Sequence, residues 1–222
     1  MFRVVLVFWF ACLLAQPVYA GAWLREKGKG FLAYSNLTAS TLDTSYSAYF
    51  DYGLNSKMTI GATLEVLSPL NRQLSGQGLV FIRRSLNWSK SNAHWAYELG
   101  VGARHTGIEF VPIAKTSLSY GRGVSWGKRD GWFAVDAGVE WDLGYSKHVV
   151  KIDSTLGLEF GERSKGMLQV FNTFGEDWTN VTVSPSYVYK SKKKKINYVF
   201  GLENSSLTPD IVAIKIGVWQ SF

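Results

Sequence analysis

The chain has 222 residues, with 24 Lys and Arg against 17 Asp and Glu, a formal charge of +7, and 15% aromatic residues. With charged residues at only 18%, this composition excludes disorder, which needs few aromatics and many charges. One cysteine excludes a disulfide scaffold and a multi-cysteine zinc site, and a mean hydropathy of −0.01 is too polar for a bundle of membrane helices.

Residues 1–20 carry one charge, Arg3, followed by an apolar run over 4–15 and small residues at Val18 and Ala20. This pattern predicts a secretory leader cut before Gly21. Twelve apolar residues fall short of the ~20 that span a bilayer as a helix. Cys12 does not suit a lipoprotein signal, because it would cut the apolar run in half. The domain reading is therefore a leader over 1–20 and one domain over 21–222, which keeps 23 positive and 17 negative residues and no cysteine.

From Gly21 onward, period two dominates. Segment 29–38 is a first, blurred strand. In 46–54, Tyr46, Ala48, Phe50, Tyr52 and Leu54 share one face, and Ser47, Tyr49, Asp51 and Gly53 the other. After the turn Asn55-Ser56, segment 58–66 alternates Met58, Ile60, Ala62, Leu64 and Val66 with Thr59, Gly61, Thr63 and Glu65. Such alternation marks strands with one apolar and one polar face. It recurs over 94–103, 133–141, 150–159, 181–189, 196–203 and 212–219, with less regular strands at 75–86, 114–122 and 165–174. That gives twelve strands of about 9–12 residues, the length of a tilted strand crossing a membrane. The polar face of Gly, Ser, Thr and charge would make a poor soluble core. The expected fold is all-β: a closed antiparallel up-and-down transmembrane barrel with short loops, its aromatic girdles drawn from Trp23, Trp95, Trp132, Trp141 and Trp219.

The chain ends Val218-Trp219-Gln220-Ser221-Phe222. This resembles the terminal strand of Gram-negative outer-membrane β-barrels, an alternating apolar strand closed by Phe. Segment 52–61 resembles the tight periplasmic turns of the same proteins. The resemblance implies an outer-membrane location, contact with membrane lipid, and recognition of Val218, Trp219 and Phe222 by the barrel-assembly machinery. It leaves the oligomeric state open. With both termini in the periplasm, the turns near 55–56, 88–92, 124–130, 161–164 and 191–195 are periplasmic. Those near 40–43, 68–74, 104–113, 144–147, 175–178 and 205–209 are external, 104–113 being the longest. The lysine run 192–195 reads as a solvated turn.

A Lys or Arg facing lipid at midplane costs about 2–4 kcal/mol, so strand charges should line the lumen. By parity these are Asp51, Glu65, Glu98, Asp136, Glu140, Lys151, Asp153, Glu159, Glu203 and Lys215, with Arg83 favoured over its neighbour Arg84. If the turn 144–147 centres its hairpin, Glu140 lies opposite Lys151 and pairs with it. These charges form either a stiffening salt-bridge network or the lining of a small aqueous path. The leading function is a passive porin-like channel or a structural membrane protein, with a ligand-binding or lipid-modifying barrel as the alternative. For catalysis the candidate is His105, near Thr106 and Glu109, but no His-x-Ser pairing and no nucleophile elbow accompany it, so no catalytic residue is assigned. Scattered positive charge offers no nucleic-acid footprint. No His pair or calcium-type spacing points to a metal, and no cofactor is expected.

Overall fold

The computed structural model describes residues 21–86, 88, 92–127, 129–192 and 195–222. The leader expected over 1–20 lies outside them, as do parts of the 88–92 turn and of the lysine run 192–195. The strands are β1 (Gly30–Ala39), β2 (Thr44–Asn55), β3 (Met58–Ser68), β4 (Ser75–Leu86), β5 (Ala93–His105) and β6 (Phe110–Trp126). They continue as β7 (Arg129–Asp142), β8 (Lys147–Gly161), β9 (Ser164–Phe174), β10 (Thr179–Lys190), β11 (Ile196–Ser205) and β12 (Thr208–Ser221). Each pairs antiparallel with its chain neighbours, and β1 pairs with β12 from Phe31↔Ser221 to Ala39↔Ala213, which closes a twelve-stranded barrel. The end that carries Gly30 and Phe222 is called proximal below, the other distal.

Alternation turns the barrel inside out relative to a soluble protein. On β5, Leu99 and Val101 are 55% and 61% exposed, while Glu98, next to Leu99 on the opposite face, is 3% exposed. Val80 and Ile82 of β4, and Ile214 and Ile216 of β12, extend the outer apolar wall. Asp51, Thr59, Ser119 and Ser184 are buried within. An apolar belt around a whole barrel is stable in hydrocarbon rather than in water. On the proximal outer wall Trp95 packs on Tyr120 at 4.8 Å and Tyr120 on Phe133 at 6.5 Å, forming a girdle segment.

The seam is closed by the last residue. Gly30 and Phe222 exchange backbone hydrogen bonds of 2.9 and 3.0 Å, and the Phe222 ring stacks on Phe50 at 6.3 Å. A Cβ on Gly30 would overlap that ring.

Three expectations are corrected. The 104–113 loop is short, because the β5–β6 ladder continues through Arg104↔Val111 and His105↔Phe110, leaving only 106–109 to turn. The 124–130 turn shrinks likewise, since Trp126 still pairs with Arg129. Trp132 and Trp219 do not belong to the girdles, nor does Trp23, whose ring lies over Gly121 inside the proximal end. They point inward, Trp132 sharing the face of Asp136 and Trp219 that of Lys215, and Gly157 leaves the space that the Trp132 ring fills.

Replacing outward-facing Val80 in mid-strand by arginine is expected to weaken folding into bilayers by about 2–4 kcal/mol, measured by urea titration in lipid vesicles. An unchanged midpoint would contradict the lipid-facing assignment of this wall.

Candidate functional site

The interior begins with a segment that is not a strand. Residues 21–25 lie inside the proximal end, and exposed residues 26–29 lead from them to β1. Ala22 is buried, and the Trp23 ring lies 5.6 Å from His94 and fills the space left by Gly121, which has no Cβ to meet it. Arg25 donates its backbone N–H to Thr59 Oγ1 at 3.1 Å and its Nε–H to Asp51 Oδ1 at 2.6 Å. Its guanidinium also sits over the Phe31 ring at 4.4 Å. Gly28, at a φ of 78°, makes the turn toward β1 and donates to Gly53 O at 2.9 Å.

From Asp51 a buried network crosses the proximal half. Tyr49 donates to Asp51 Oδ2 at 2.8 Å and accepts from Arg83 Nη1 at 3.1 Å. Arg83 and Glu98 are register partners of β4 and β5, and Arg83 Nη2 reaches Glu98 Oε2 at 2.5 Å. Lys115 of β6 donates to Glu98 Oε1 at 3.0 Å. Alternating signs are what make such burial tolerable, since a lone charge there would retain its whole desolvation cost. Nearer the proximal rim Lys165 pairs with Glu159 at 2.5 Å.

The distal half is open. A cavity of about 750 Å³ is lined by Ser47, Glu65, Asp153, Phe171, Glu203 and Lys215, among others, and reaches His105 and Thr106 at the rim. Arg104 binds Glu140 and lies 3.4 Å from Asp142, and Lys151 donates to Glu140 Oε2 at 3.0 Å. Glu65 accepts from Gln77 at 3.1 Å, and Lys215 donates to Gln169 and Ser184, both at 3.2 Å. A smaller space of about 320 Å³ continues inward, bounded by Gly21, Tyr49, Arg83, Asp136, Trp132 and Trp219.

Asp51, Arg83 and Glu98 therefore meet in the proximal network. Asp136 lies against Gly21, Glu140 and Lys151 join Arg104, and Glu159 pairs with Lys165. Glu65, Asp153, Glu203 and Lys215 surround the distal cavity. Glu140 is in register with Val149, not Lys151. The hairpin turns at 143–146, and the pair forms diagonally because a lysine side chain spans two residues along the strand. Arg25, Arg104, Lys115, Asp142 and Lys165 join these networks although the sequence did not single them out. For Lys115 the inner-face neighbours Val111 and Ile113 are apolar and buried, which blurs parity in β6.

At the distal mouth the turns are tied together. Asp43 accepts from the backbone N–H of Leu70 at 2.8 Å and from Thr41 at 3.1 Å, and these bonds hold its carboxyl below the ordinary range. Tyr145 donates to Glu109, which raises the tyrosine above its usual value. His105 packs its ring on Phe110 at 4.7 Å, while the Glu109 carboxylate is engaged by Tyr145, so the two do not act as a pair. Among the described residues no group of three or more His, Cys, Asp or Glu side chains is placed to hold a metal ion.

A closed twelve-stranded barrel with an apolar outer wall and a charged interior defines a transmembrane β-barrel of the Gram-negative outer-membrane type. Among solved structures the chain is similar to a "KdgM porin", at a TM-score of 0.61 and 10% identity over 86% of this chain and 99% of that one. It is similar also to a "KdgM porin in complex with disordered oligogalacturonate", at a TM-score of 0.58 with the same identity and coverage. The fold is shared at that level. No family profile matches the chain, and no curated protein matches it in sequence.

Arg83→Met leaves Glu98 with Lys115 alone and Asp51 with Arg25 alone, and is expected to cost about 1–3 kcal/mol in urea unfolding from lipid vesicles. An Arg83→Met barrel as stable as the parent would show the network to be dispensable.

Proposed function

We propose that the chain is a porin-like outer-membrane protein that lets small polar solutes pass, with its proximal end in the periplasm and residues 1–20 removed as a leader. The carrying observation is the distal cavity of about 750 Å³, open at the rim and lined by side chains of both signs. Solutes enter among Glu65, Lys151, Asp153, Glu203 and Lys215 and continue past Arg83, Glu98 and Asp136. The outer wall meets membrane lipid, and Val218, Trp219 and Phe222 act as the assembly signal.

The solute's charge follows from which ions are already committed. Arg104 and Lys151 are balanced by Glu140 and Asp142. Glu65, Asp153 and Glu203 then face the cavity against Lys215, and this excess of negative charge favours cations by direct Coulomb attraction. The oligogalacturonate held by one neighbouring porin is accordingly not carried over to this chain.

The packed proximal end favours a second reading, a binding barrel with a blind inner end. Conductance separates the two. In planar bilayers the protein is expected to conduct weakly and to prefer potassium over chloride in a salt gradient. Asp153→Asn combined with Glu203→Gln should move the reversal potential toward zero. Absence of any conductance, together with no swelling of protein-loaded liposomes in small sugars, would leave the binding barrel.

A further inference from the structure

Gly21 is packed against a carboxylate. A Cβ at this position would overlap Asp136 Oδ1 and crowd Ser119 Oγ, so glycine is what lets the acid reach the main chain. Ser119 is buried and donates to Asp136 Oδ1.

Asp136 feels Arg83 and Lys115 only at a distance. Its register partner across the β7–β8 ladder is a second carboxylate, Asp153, and like charges directly opposite each other destabilise a sheet. Among the described residues no cation forms an ion pair with Asp136. The nearby cations are committed elsewhere: Arg83 pairs with Glu98 and Asp51, and Lys115 pairs with Glu98. One more positive group here would pair directly with Asp136.

We propose that removal of residues 1–20 supplies it: the α-ammonium of Gly21 docks on Asp136 and Ser119, and the docked terminus locks residues 21–25 as a plug that narrows the proximal lumen. The inference rests on the leader reading above. Hydrolysis of the Ala20–Gly21 peptide bond by a leader peptidase consumes one water and leaves a carboxylate on Ala20 and an ammonium on Gly21. An α-amino group is largely protonated at neutral pH. Its N–H groups donate to the Asp136 carboxylate and to a lone pair of Ser119, whose own hydrogen is already given to Asp136.

The rest of the segment is built to hold the same pose. Ala22 is buried, Trp23 fills the space over Gly121, and Arg25 is clamped by Asp51 and Thr59. Its Asp51 contact joins the plug to the Arg83–Glu98 network, so the terminus and the barrel wall share one chain of alternating charges. An uncleaved chain has an amide at this point, with one N–H and no charge, and the Asp136–Asp153 opposition stays uncompensated. Capture of a terminal amine by a preformed polar nest is a known mode of recognition, here operating within one chain.

The test uses protein purified from membranes, compared with Asp136→Asn and with a form refolded with extra residues ahead of Gly21. The extended form keeps every barrel side chain, so it separates a docking role of Asp136 from a structural one. Intact mass is expected to give Gly21 as the first residue, and any other first residue overturns the proposal. In the folded parent, acylation of the Gly21 amine by a small water-soluble reagent should be at least about tenfold slower than in the unfolded chain. That corresponds to 1.4 kcal/mol of protection. Asp136→Asn should abolish the protection, and equal labelling of folded and unfolded parent overturns the docking. Single-channel conductance should rise in both altered forms. Equal, non-zero conductance in all three overturns the plug. A protected Gly21 in a barrel that conducts in no form supports the docked terminus and overturns the channel reading instead.

Discussion

In hydrocarbon a peptide N–H or C=O without a partner costs several kcal/mol, and closure of the sheet is what removes that cost here. The β1–β12 ladder leaves no free edge at membrane depth, and the Gly30–Phe222 backbone pair completes it at the proximal rim. The other main features are consequences of this closure. A closed sheet has one face toward lipid and one toward the lumen, so its sequence must alternate. Charges can be carried only on the inner face, and they must be compensated there.

Compensation divides the lumen in two. Proximally, Arg25, Asp51, Tyr49, Arg83, Glu98 and Lys115 form one chain of alternating charges among packed rings, including Phe31, Trp132 and Trp219. This half is nearly a protein core. Distally, Glu140 and Asp142 balance Arg104 and Lys151, and the remaining carboxylates face a cavity of about 750 Å³. Twelve strands lie between the eight whose interior side chains just fill and the sixteen of an open porin, and this barrel realises both conditions at its two ends.

Much of this was legible in the sequence because its source is local. Parity along a single strand separates Val80, Leu99 and Ile214 from Asp51, Glu98 and Lys215, and the twelve strands follow from that pattern. The terminal Phe222 was legible for the same reason. What was not legible depends on how strands are matched. The turn 143–146 does not declare its centre, so sequence alone sets Glu140 against Lys151 where the ladder gives Val149. Lys115 lies beyond simple parity because Val111 and Ile113 bury apolar side chains on the inner face. Residues 21–29 show no period at all. Arg25 finds its partner 26 residues away, and only the closed wall reveals that residues 21–25 belong inside it.

The central claim is that a single two-faced sheet encloses a charged, partly hydrated interior and presents a continuous apolar wall to lipid. The most direct measurement places one spin label at a time along 97–103 of β5 in bilayers, using the chain without its leader, which has no other cysteine. Collision with oxygen, which partitions into lipid, and with a water-soluble nickel chelate then reports the two faces. The account predicts strict alternation, with 97, 99, 101 and 103 relaxed by oxygen and 98, 100 and 102 screened from it. Uniform accessibility along the segment, or a repeat of three to four residues, would contradict it.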